Sequence, residues 1–310
     1  MTSYNTDEIL NQLDQALSSA GLQDNGKVRD RVSQFVSDLR ANLSDEIIGR
    51  LLSSLTKTLA KPEPTTADFV GLTSDNDLAF FDADNLNSVT KVDIKGLQPQ
   101  ETLVGIDFRP NTGQLFGVGS SNRLYTIDIV TGIAVQVGSD TFAVGLNGEK
   151  FGVDFNPVVD RVRVVSDTAQ NLRVNPDTGA VVDANTMVDG VQADGNLNSD
   201  SDSIVATAYT NSFTGTTSTT QYGIDADTDQ LFIQNPPNNG TLNRVGSLGV
   251  DFAASAGFDI VFKNGSNAAF ATSNSSLFSI DLESGAATLL GTIKDGITPV
   301  NLVGSAAARL

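Results

Sequence analysis

Three aspartates that recur at one position of a repeat are the first candidates for chemistry. Asp107, Asp154 and Asp259 each stand two residues after a glycine, in the segments GIDF, GVDF and GFDI. Repeated carboxylates of this kind either accept hydrogen bonds from the backbone of their own or the next repeat, or converge as an acidic ring. A ring of carboxylates would hold a cation or a substrate in a central channel. The spacing is compatible with both interpretations.

A polar segment later in the chain offers side-chain oxygens at every second residue. Ca²⁺ takes six to eight oxygen ligands, so a loop with this alternation has the chemistry needed to wrap the ion. The EF-hand pattern is not met, because Ser199 stands where the sixth loop position needs glycine. The segment is therefore either a calcium loop or a solvated acidic insertion. Its candidate ligands are Asp194, Asn196, Asn198, Asp200 and Asp202, and the same alternation at Asp225, Asp227 and Asp229 coincides with a predicted turn between strands.

Three arginines interrupt the apolar alternation between these sites. Arg161 and Arg163 share one face of the predicted strand in DRVRVV, and Arg173 lies on the following strand in NLRVN. If the three share a face, they form a basic cluster suited to a carboxylate or phosphate, because arginine binds both in a bidentate manner. The alternative is ion pairing with nearby acids, namely Asp154, Asp160 and Asp167.

The composition excludes several classes of site. The 310 residues contain no histidine and no cysteine, which removes Ser-His-Asp triads, imidazole metal ligands and disulfides. The formal net charge of −18 argues against nucleic acid or an anionic membrane as the main partner. The sequence contains no run of eighteen apolar residues, so no transmembrane helix is predicted.

The elements that position these side chains belong to a repeat. Gly105, Gly152, Gly257 and Gly304 are 47, 105 and 47 residues apart, so a degenerate copy is expected in the wide gap, near 204–209. Repeats of about 50 residues with four short strands are typical of a β-propeller. A second marker, a strand that ends in an acidic or amide residue before a turn, also counts five units: Asp82, Asp128, Asn175, Asp225 and Asp281.

We therefore predict an all-β propeller over 68–310, with five blades, or six if 183–250 contains another. The last strand, within 302–310, would complete the first blade, which begins near Phe69. Such closure removes the open sheet edges that pair with other chains.

Residues 1–61 have a different periodicity. Apolar residues at helical spacing predict a small three-helix module, which either forms its own core or docks on another protomer or partner. Residues 62–67 are Pro-rich and predict a stiff, extended linker. The first residues lack the basic and apolar regions of a secretory signal. Extracellular or cell-surface location by a route without such a signal is expected, with a cytoplasmic location as the alternative. The broadest stripe contains Ile47, Ile48, Leu51, Leu52, Leu55 and Leu59.

The blade sequences also resemble a known family. The segments LVGIDFRPNTGQLFGVG, RLYTIDIVTGIAVQVG, FGVDFNPVVDRVRVVSDTAQNLRVNPDTGAV, NPPNNGTLNRVGSLGVD and LFSIDLESGAATLLG together are similar to the bacterial family catalogued as domain of unknown function 4394. The resemblance covers about 68–310. It implies a propeller-like repeat, often in exported proteins, and it implies no activity, ligand or catalytic residue.

Three functions follow from these observations. We expect a non-enzymatic scaffold or binding protein, a propeller head with a helical assembly module, in an extracellular or envelope structure. The first alternative is a calcium-dependent hydrolase of lactonase type, in which Ca²⁺ would polarise a substrate carbonyl without histidine. The second alternative is a binder of small anions at the arginine cluster.

Overall fold

The structure is a computed structural model that describes Gln34, Ile47, residues 63–199 and residues 201–308. The three-helix module predicted for 1–61 thus lies outside the described residues, apart from those two positions. Residues 63–67 form a turn, in which the N–H of Ala67 donates to the carbonyl oxygen of Glu63 at 3.0 Å, rather than the extended linker that was predicted. Within the described part of the chain, no helix combines the length and the apolar character needed to cross a membrane.

Five sheets of three to five strands and one two-stranded sheet make up the described chain, and we number the five larger sheets as blades in chain order. Blade one contains β1 (Phe69–Thr73), β2 (Asp77–Asp82) and β3 (Asn85–Asp93), and blade two contains β4 (Leu103–Phe108), β5 (Leu115–Gly119), β6 (Arg123–Ile127) and β7 (Ala134–Gln136). Blade three contains β8 (Phe151–Asn156), β9 (Arg161–Ser166) and β10 (Asn171–Val174). Blade four contains β11 (Asn198–Ser199), β12 (Ala206–Tyr209), β13 (Gln221–Asp225), β14 (Gln230–Gln234) and β15 (Thr241–Ser247). Blade five contains β16 (Ala256–Lys263), β17 (Ser266–Ser273), β18 (Ser276–Ile280) and β19 (Ala287–Thr292), followed by the short strands β20 (Lys294–Asp295) and β21 (Thr298–Pro299) and by β22 (Leu302–Ala307).

The blades form a closed ring around a central axis. The inner strands β4, β8, β12, β16 and β22 each contact the next, and β22 contacts β4. β22 pairs with β1, with Ala307 opposite Phe69, so the last strand supplies the inner strand of blade one. The five-blade propeller and its closure by the C-terminal strand are therefore confirmed, and a sixth blade is not found in the described residues.

The hydrophobic core lies between neighbouring blades. Val70 and Phe80 of blade one pack with Leu103, Ile106 and Tyr125 of blade two, all of them buried. Central strands are covered on both faces, which explains their continuous apolar runs, whereas the outermost strands such as β3 alternate between buried and exposed side chains.

The repeated glycine permits the inner strands to approach one another closely. A Cβ on Gly152 would lie 2.7 Å from the backbone nitrogen of Thr207 and 2.8 Å from the carbonyl carbon of Ala206, both in the next blade. Backbone atoms this close leave no space for a side chain at Gly152, so the glycine there is a packing requirement.

The fourth copy of the repeat lies where the spacing predicts it, in β12. Its backbone follows the pattern of β8, with Ala206 at the position of Gly152 and Ala208 at that of Asp154. The second marker is displaced in this blade. Asp225 ends the second strand of the sheet, whereas its counterpart Asp128 follows the third strand of blade two.

Candidate functional site at the channel mouth

Three buried carboxylates meet on the propeller axis. Asp107, Asp154 and Asp259 are 5%, 2% and 7% exposed, and one carboxylate oxygen of each lies within 4.8 Å of the others. The inner strands β4, β8 and β16 place them at one level, because all three follow the close-packed glycine by two residues. The repeated aspartates therefore converge.

The same carboxylates hold the blades together. Asp107 accepts hydrogen bonds from the N–H of Phe108 at 2.7 Å and from the N–H of Phe155 in the next blade at 2.7 Å. Asp154 accepts one from Tyr209 at 3.2 Å. Asp259 accepts one from Ile260 and one from Ala307, both at 2.6 Å. Three side chains thus satisfy the N–H group at this level in all five inner strands, which combines the two interpretations of the sequence.

Burial and mutual repulsion both act against ionisation of this cluster. Burial, followed by the charge of Asp259, raises the pKa of Asp107 well above its usual range. Burial and the charges of the other two aspartates do the same to the pKa of Asp154. Burial raises the pKa of Asp259 to about 6, although its two backbone hydrogen bonds act to lower it. The cluster therefore holds protons more tightly than isolated aspartates do.

The cluster lies at the floor of a cavity of about 340 Å³, which we call the mouth cavity. Asp107 and Asp259 form its floor, and the turn at Pro64 and Thr65 contributes to its wall. On the other side of the cluster the channel narrows at the glycine level to a space of about 10 Å³. Beyond this constriction, a second cavity of about 220 Å³ opens at the opposite end of the inner strands. The remaining wall of the mouth cavity is formed by Phe108, Arg109, Pro110, Gly113, Ile129, Ser212, Ile260, Val261, Phe262, Ala307 and Ala308.

A loop of blade four crosses this mouth. Residues 210–220, which we call the strap, connect β12 to β13. The hydroxyl of Thr214 donates to the carbonyl oxygen of Pro110 in blade two at 2.8 Å. The N–H of Asn211 donates to the side-chain oxygen of Asn267 in blade five at 2.8 Å, and Phe213 lies against Phe262 with ring centroids 4.7 Å apart. The strap therefore ties three blades together over the cavity.

Arg109 lies in the wall of the mouth cavity and is already paired. It binds both oxygens of Asp160 and donates to Asp177 at 2.7 Å. Hydrogen bonding by Arg109 lowers the pKa of Asp160. The guanidinium thus joins blades two and three, and its charge is balanced by two acids other than the axial carboxylates.

The arginines of blade three are neutralised by an acid from the predicted calcium loop. Arg163 stands opposite Arg173 in the sheet, as the sequence suggested. Arg163 donates to one oxygen of Asp194 at 2.7 Å, and Arg173 donates to both of its oxygens, at 2.6 and 2.7 Å. Ion pairing, the alternative to an anion site, thus describes these two arginines, with Asp194 as the acid instead of the three expected ones. Arg161 donates to the carbonyl oxygens of Val159 and Asp160.

Arg163 is the largest fully buried side chain among the described residues. It donates to Tyr209 at 3.1 Å, to Asn171 at 2.7 Å and to Asn238 at 2.8 Å, in addition to Asp194. These partners come from blades three and four and from the 3₁₀ turn Pro237–Asn239. The buried Arg163 side chain therefore links blades three and four through hydrogen bonds.

Four of the five predicted calcium ligands lie within the described residues. The amide of Asn198 donates to the carbonyl oxygens of Asn196 and Asn239, Asp202 is exposed, and Asp200 lies outside the described residues. The calcium loop stays a prediction, and the ion would compete with two guanidinium groups for Asp194. In the second alternating segment, Asp225 accepts the N–H groups of Asp227 and Thr228, as a turn requires, and Asp229 accepts the N–H of Phe252.

Two features of the site had no signal in the repeat. The strap contacts residues 104 positions away in the sequence, and its Ser, Thr, Asn and Gly composition resembles that of any surface loop. Arg109 directly follows β4 in blade two and was not among the predicted site residues. The connection between β12 and β13 has eleven residues and that between β13 and β14 has four, so its length is the feature that sets the strap apart from a hairpin turn.

Comparisons with known proteins identify a family whose function is unknown. A family model described as "Domain of unknown function (DUF4394)" matches residues 77–303. No curated protein matches the chain. A structural genomics protein of unknown function from Bacteroides thetaiotaomicron VPI-5482 has 13% identity and a TM-score of 0.43, with 76% of this chain and 60% of that chain covered.

Two further solved structures are similar at lower TM-scores. Dihydro-heme d1 dehydrogenase NirN has 11% identity and a TM-score of 0.34, with 74% of this chain and 44% of that chain covered. The RRP9 WD40 repeats have 8% identity and a TM-score of 0.39, with 71% of this chain and 56% of that chain covered. The chain thus spans less than two thirds of the length of each of these structures.

Proposed function

The chain belongs to the family described as a domain of unknown function (DUF4394), and we propose that it is a non-enzymatic binding or scaffold protein. In this proposal the propeller offers its mouth cavity to a ligand, and residues 1–61 mediate assembly with a partner or a second copy. A cavity of about 340 Å³ with apolar walls and a few converging polar groups is of the size that small ligands use.

One observation carries the proposal. Five carboxylate oxygens of the axial cluster accept backbone N–H groups, so the acids at the cavity floor are engaged in holding the blades. General bases and nucleophiles need a lone pair directed at the substrate and a partner that tunes it. Histidine and cysteine, the usual groups for these tasks, are absent from the sequence. The chemistry at the mouth therefore favours binding over turnover.

The assembly part of the proposal is supported by the sequence and by the position of residue 63. Residues 1–61 carry apolar residues at helical spacing, and such stripes need a cover. The first continuous described segment begins at Glu63, directly before the cavity-lining Pro64 and Thr65. The proposed assembly module therefore directly precedes, in the sequence, a turn that lines the mouth cavity.

Light scattering tests the assembly. The mass of the full chain is compared with that of a 63–310 fragment, which keeps the turn at buried Ala67, each with Ca²⁺ and with chelator. A full-chain variant with Leu51→Asp and Leu55→Asp is the matched control, because it changes the apolar stripe and leaves the propeller intact. Assembly of the full chain, with monomers for the fragment and the variant, would support the scaffold function. Monomers throughout would contradict it.

A second candidate is cation-dependent hydrolysis, favoured by the approach of the axial carboxylate oxygens to within 4.8 Å of one another. A Ca²⁺ ion there would polarise a lactone or ester carbonyl in the mouth cavity. The candidate requires one tightly bound Ca²⁺ per chain, lost in Asp154→Asn, together with ester turnover that a chelator stops. The anion-binding alternative has less support, because Asp194 occupies both Arg163 and Arg173.

A further inference from the structure

The mouth cavity has walls and a floor of different chemistry. Phe108, Ile260, Val261 and Phe262 line it with apolar surface, and Ser212 faces it from the strap. Such surface gains free energy when it is covered by the apolar part of a ligand. The walls and the strap make this a shaped cavity, which separates the axial acids from an ordinary acidic cluster on a surface.

The floor carries carboxyl groups that have no described counter-ion. β4, β8 and β16 each contribute one carboxylate, and β22 contains no ionisable residue. The Tyr209 hydroxyl on β12 bonds Arg163 and Gln221, away from the cluster. Among the described residues that line the cavity, Arg109 is the one cation, and Asp160 and Asp177 already balance it.

The electrostatics of the floor favour one class of ligand. Burial raises the pKa of each axial aspartate, and neighbouring carboxylate charges raise the pKa of Asp107 and Asp154 further, which means that negative charge is disfavoured there in the absence of a ligand. A bound cation would reverse this effect, because an opposite charge within a few ångströms stabilises the carboxylate form. A bound anion would add to the repulsion. The apolar walls disfavour a small, fully hydrated cation as the sole occupant, since they offer it no oxygen ligands.

We propose that the mouth cavity binds a small organic ammonium ion, with its nitrogen against Asp107 and Asp259 and its apolar body against Phe108, Ile260 and Phe262. The inference rests on the proposed binding function and names the ligand class of the same cavity. Charge-assisted hydrogen bonds from N⁺–H to carboxylate supply the specificity, and the covered apolar surface adds affinity. The strap already crosses the mouth through its contacts with blades two and five, and it would cover the bound ligand.

The ligand class implies a coupling to protons. The ammonium group stabilises ionised carboxylates, so its binding displaces protons from the cluster. Affinity for an amine should therefore rise as the pH increases from about 5 to about 7.5, a range in which the amine itself stays protonated. A neutral ligand of the same shape has no reason to show this dependence.

Calorimetry with the full chain tests the proposal. The probes are benzylammonium chloride, benzyl alcohol and sodium benzoate, which share a ring and differ in charge. We expect benzylammonium to bind at least about tenfold more tightly than benzyl alcohol, with release of protons, and benzoate to show no binding.

Three variants locate the site. Asp259→Asn should weaken benzylammonium binding about tenfold, because it removes one carboxylate from the floor. Ser212→Trp fills the cavity from the strap and leaves the axial hydrogen bonds intact, so it should abolish binding even if Asp259→Asn disturbs the fold. Asp281→Asn removes an exposed carboxylate at a blade turn and should leave the affinity unchanged.

The possible results separate the two levels of the proposal. Binding of benzyl alcohol or benzoate that Ser212→Trp abolishes, without preference for benzylammonium, would overturn the ammonium class and leave the binding function standing. Benzylammonium binding that survives Ser212→Trp would place the ligand elsewhere and overturn the inference. Absence of binding by all three probes, together with calcium-dependent ester turnover, would overturn both.

Discussion

Asp107 accepts a 2.7 Å hydrogen bond from the backbone N–H of Phe155, which directly follows the equivalent aspartate of the next blade. The same relationship joins Asp154 to Tyr209 and Asp259 to Ala307. At the two remaining junctions the aspartate is replaced by Ala208 or Ala306, and the free N–H there is satisfied by the aspartate of its own blade. Three carboxylates thereby satisfy five backbone N–H groups and bridge three of the five junctions between inner strands.

Replacement of Asp107 tests how much its hydrogen bonds to the backbone stabilise the propeller. Asp107→Ala leaves the N–H groups of Phe108 and Phe155 without an acceptor in a buried position, so we expect the free energy of unfolding to fall by about 2–5 kcal/mol. Asp281→Ala is the matched control, because Asp281 also accepts two backbone N–H groups but is exposed, and water can replace it. Urea denaturation compares the two. Equal losses would show that burial of the Asp107 hydrogen bonds has no special value.

The raised pKa values predict how stability depends on pH. A carboxyl group whose pKa is higher in the folded than in the unfolded state binds more protons when folded, so its contribution is present at low pH and is lost as the pH rises through the folded value. For Asp259 this loss runs from about 4 to about 6. Asp160, whose pKa Arg109 lowers, loses its contribution below that window.

Unfolding by urea from about pH 4.5 to about pH 7.5 should therefore show decreasing stability, with a slope of up to about 1.4 kcal/mol per pH unit for each proton involved. Asp259→Asn removes one titrating group and should flatten the curve. A curve that rises across this range, or one that Asp259→Asn leaves unchanged, would mean that the axial acids are ionised in the folded protein at both ends of the window.

The sequence was sufficient to predict the closed ring of five blades. Gly105, Gly152 and Gly257 recur because a Cβ at each would lie less than 3 Å from the neighbouring inner strand, and this steric requirement leaves a period that can be counted. The copy near 204–209 could be located by spacing alone, although Ala206 and Ala208 replace both marker residues. Closure by β22 could be predicted because the first repeat unit lacks one strand, which the last strand of the chain supplies.

The side-chain network of blade three could not be read in the same way. Asp194 appeared as the first ligand of a calcium loop and Arg163 as part of an anion site, because each was judged with its neighbours in sequence. The two residues are 31 positions apart and form one buried ion pair. The charge of Asp194 suggested a bound calcium ion and the charge of Arg163 suggested a bound anion, but the two charges neutralise each other. The path of the intervening segment brings the two residues together.

The buried pair predicts an asymmetric response to mutation. Arg163→Met removes the hydrogen bonds that Arg163 donates to Tyr209, Asn171 and Asn238, and it should lower the free energy of unfolding by about 3–5 kcal/mol, as removal of one partner from a buried pair does. Arg173→Met should cost less, because the Arg173 side chain is 20% exposed and Arg163 still balances Asp194. A double variant, Arg163→Met with Asp194→Leu, should recover part of the loss in a double-mutant cycle. Strict additivity would contradict the proposed coupling.

Substitution of Gly152 tests why the glycine repeats. Gly152→Ala would place a Cβ 2.7 Å from the backbone nitrogen of Thr207, and backbone cannot move aside as a side-chain end can. Blades three and four would have to separate at the axis, and we expect a loss of about 1–3 kcal/mol in the free energy of unfolding. Gly145→Ala is the control, since Gly145 is exposed and its Cβ would lie 3.5 Å from Asn122, an ordinary contact. That change should be neutral, or stabilising by about 0.4–1 kcal/mol through the unfolded chain. If Gly152→Ala proves as mild as Gly145→Ala in urea, close packing of the inner strands is not what the repeated glycine provides.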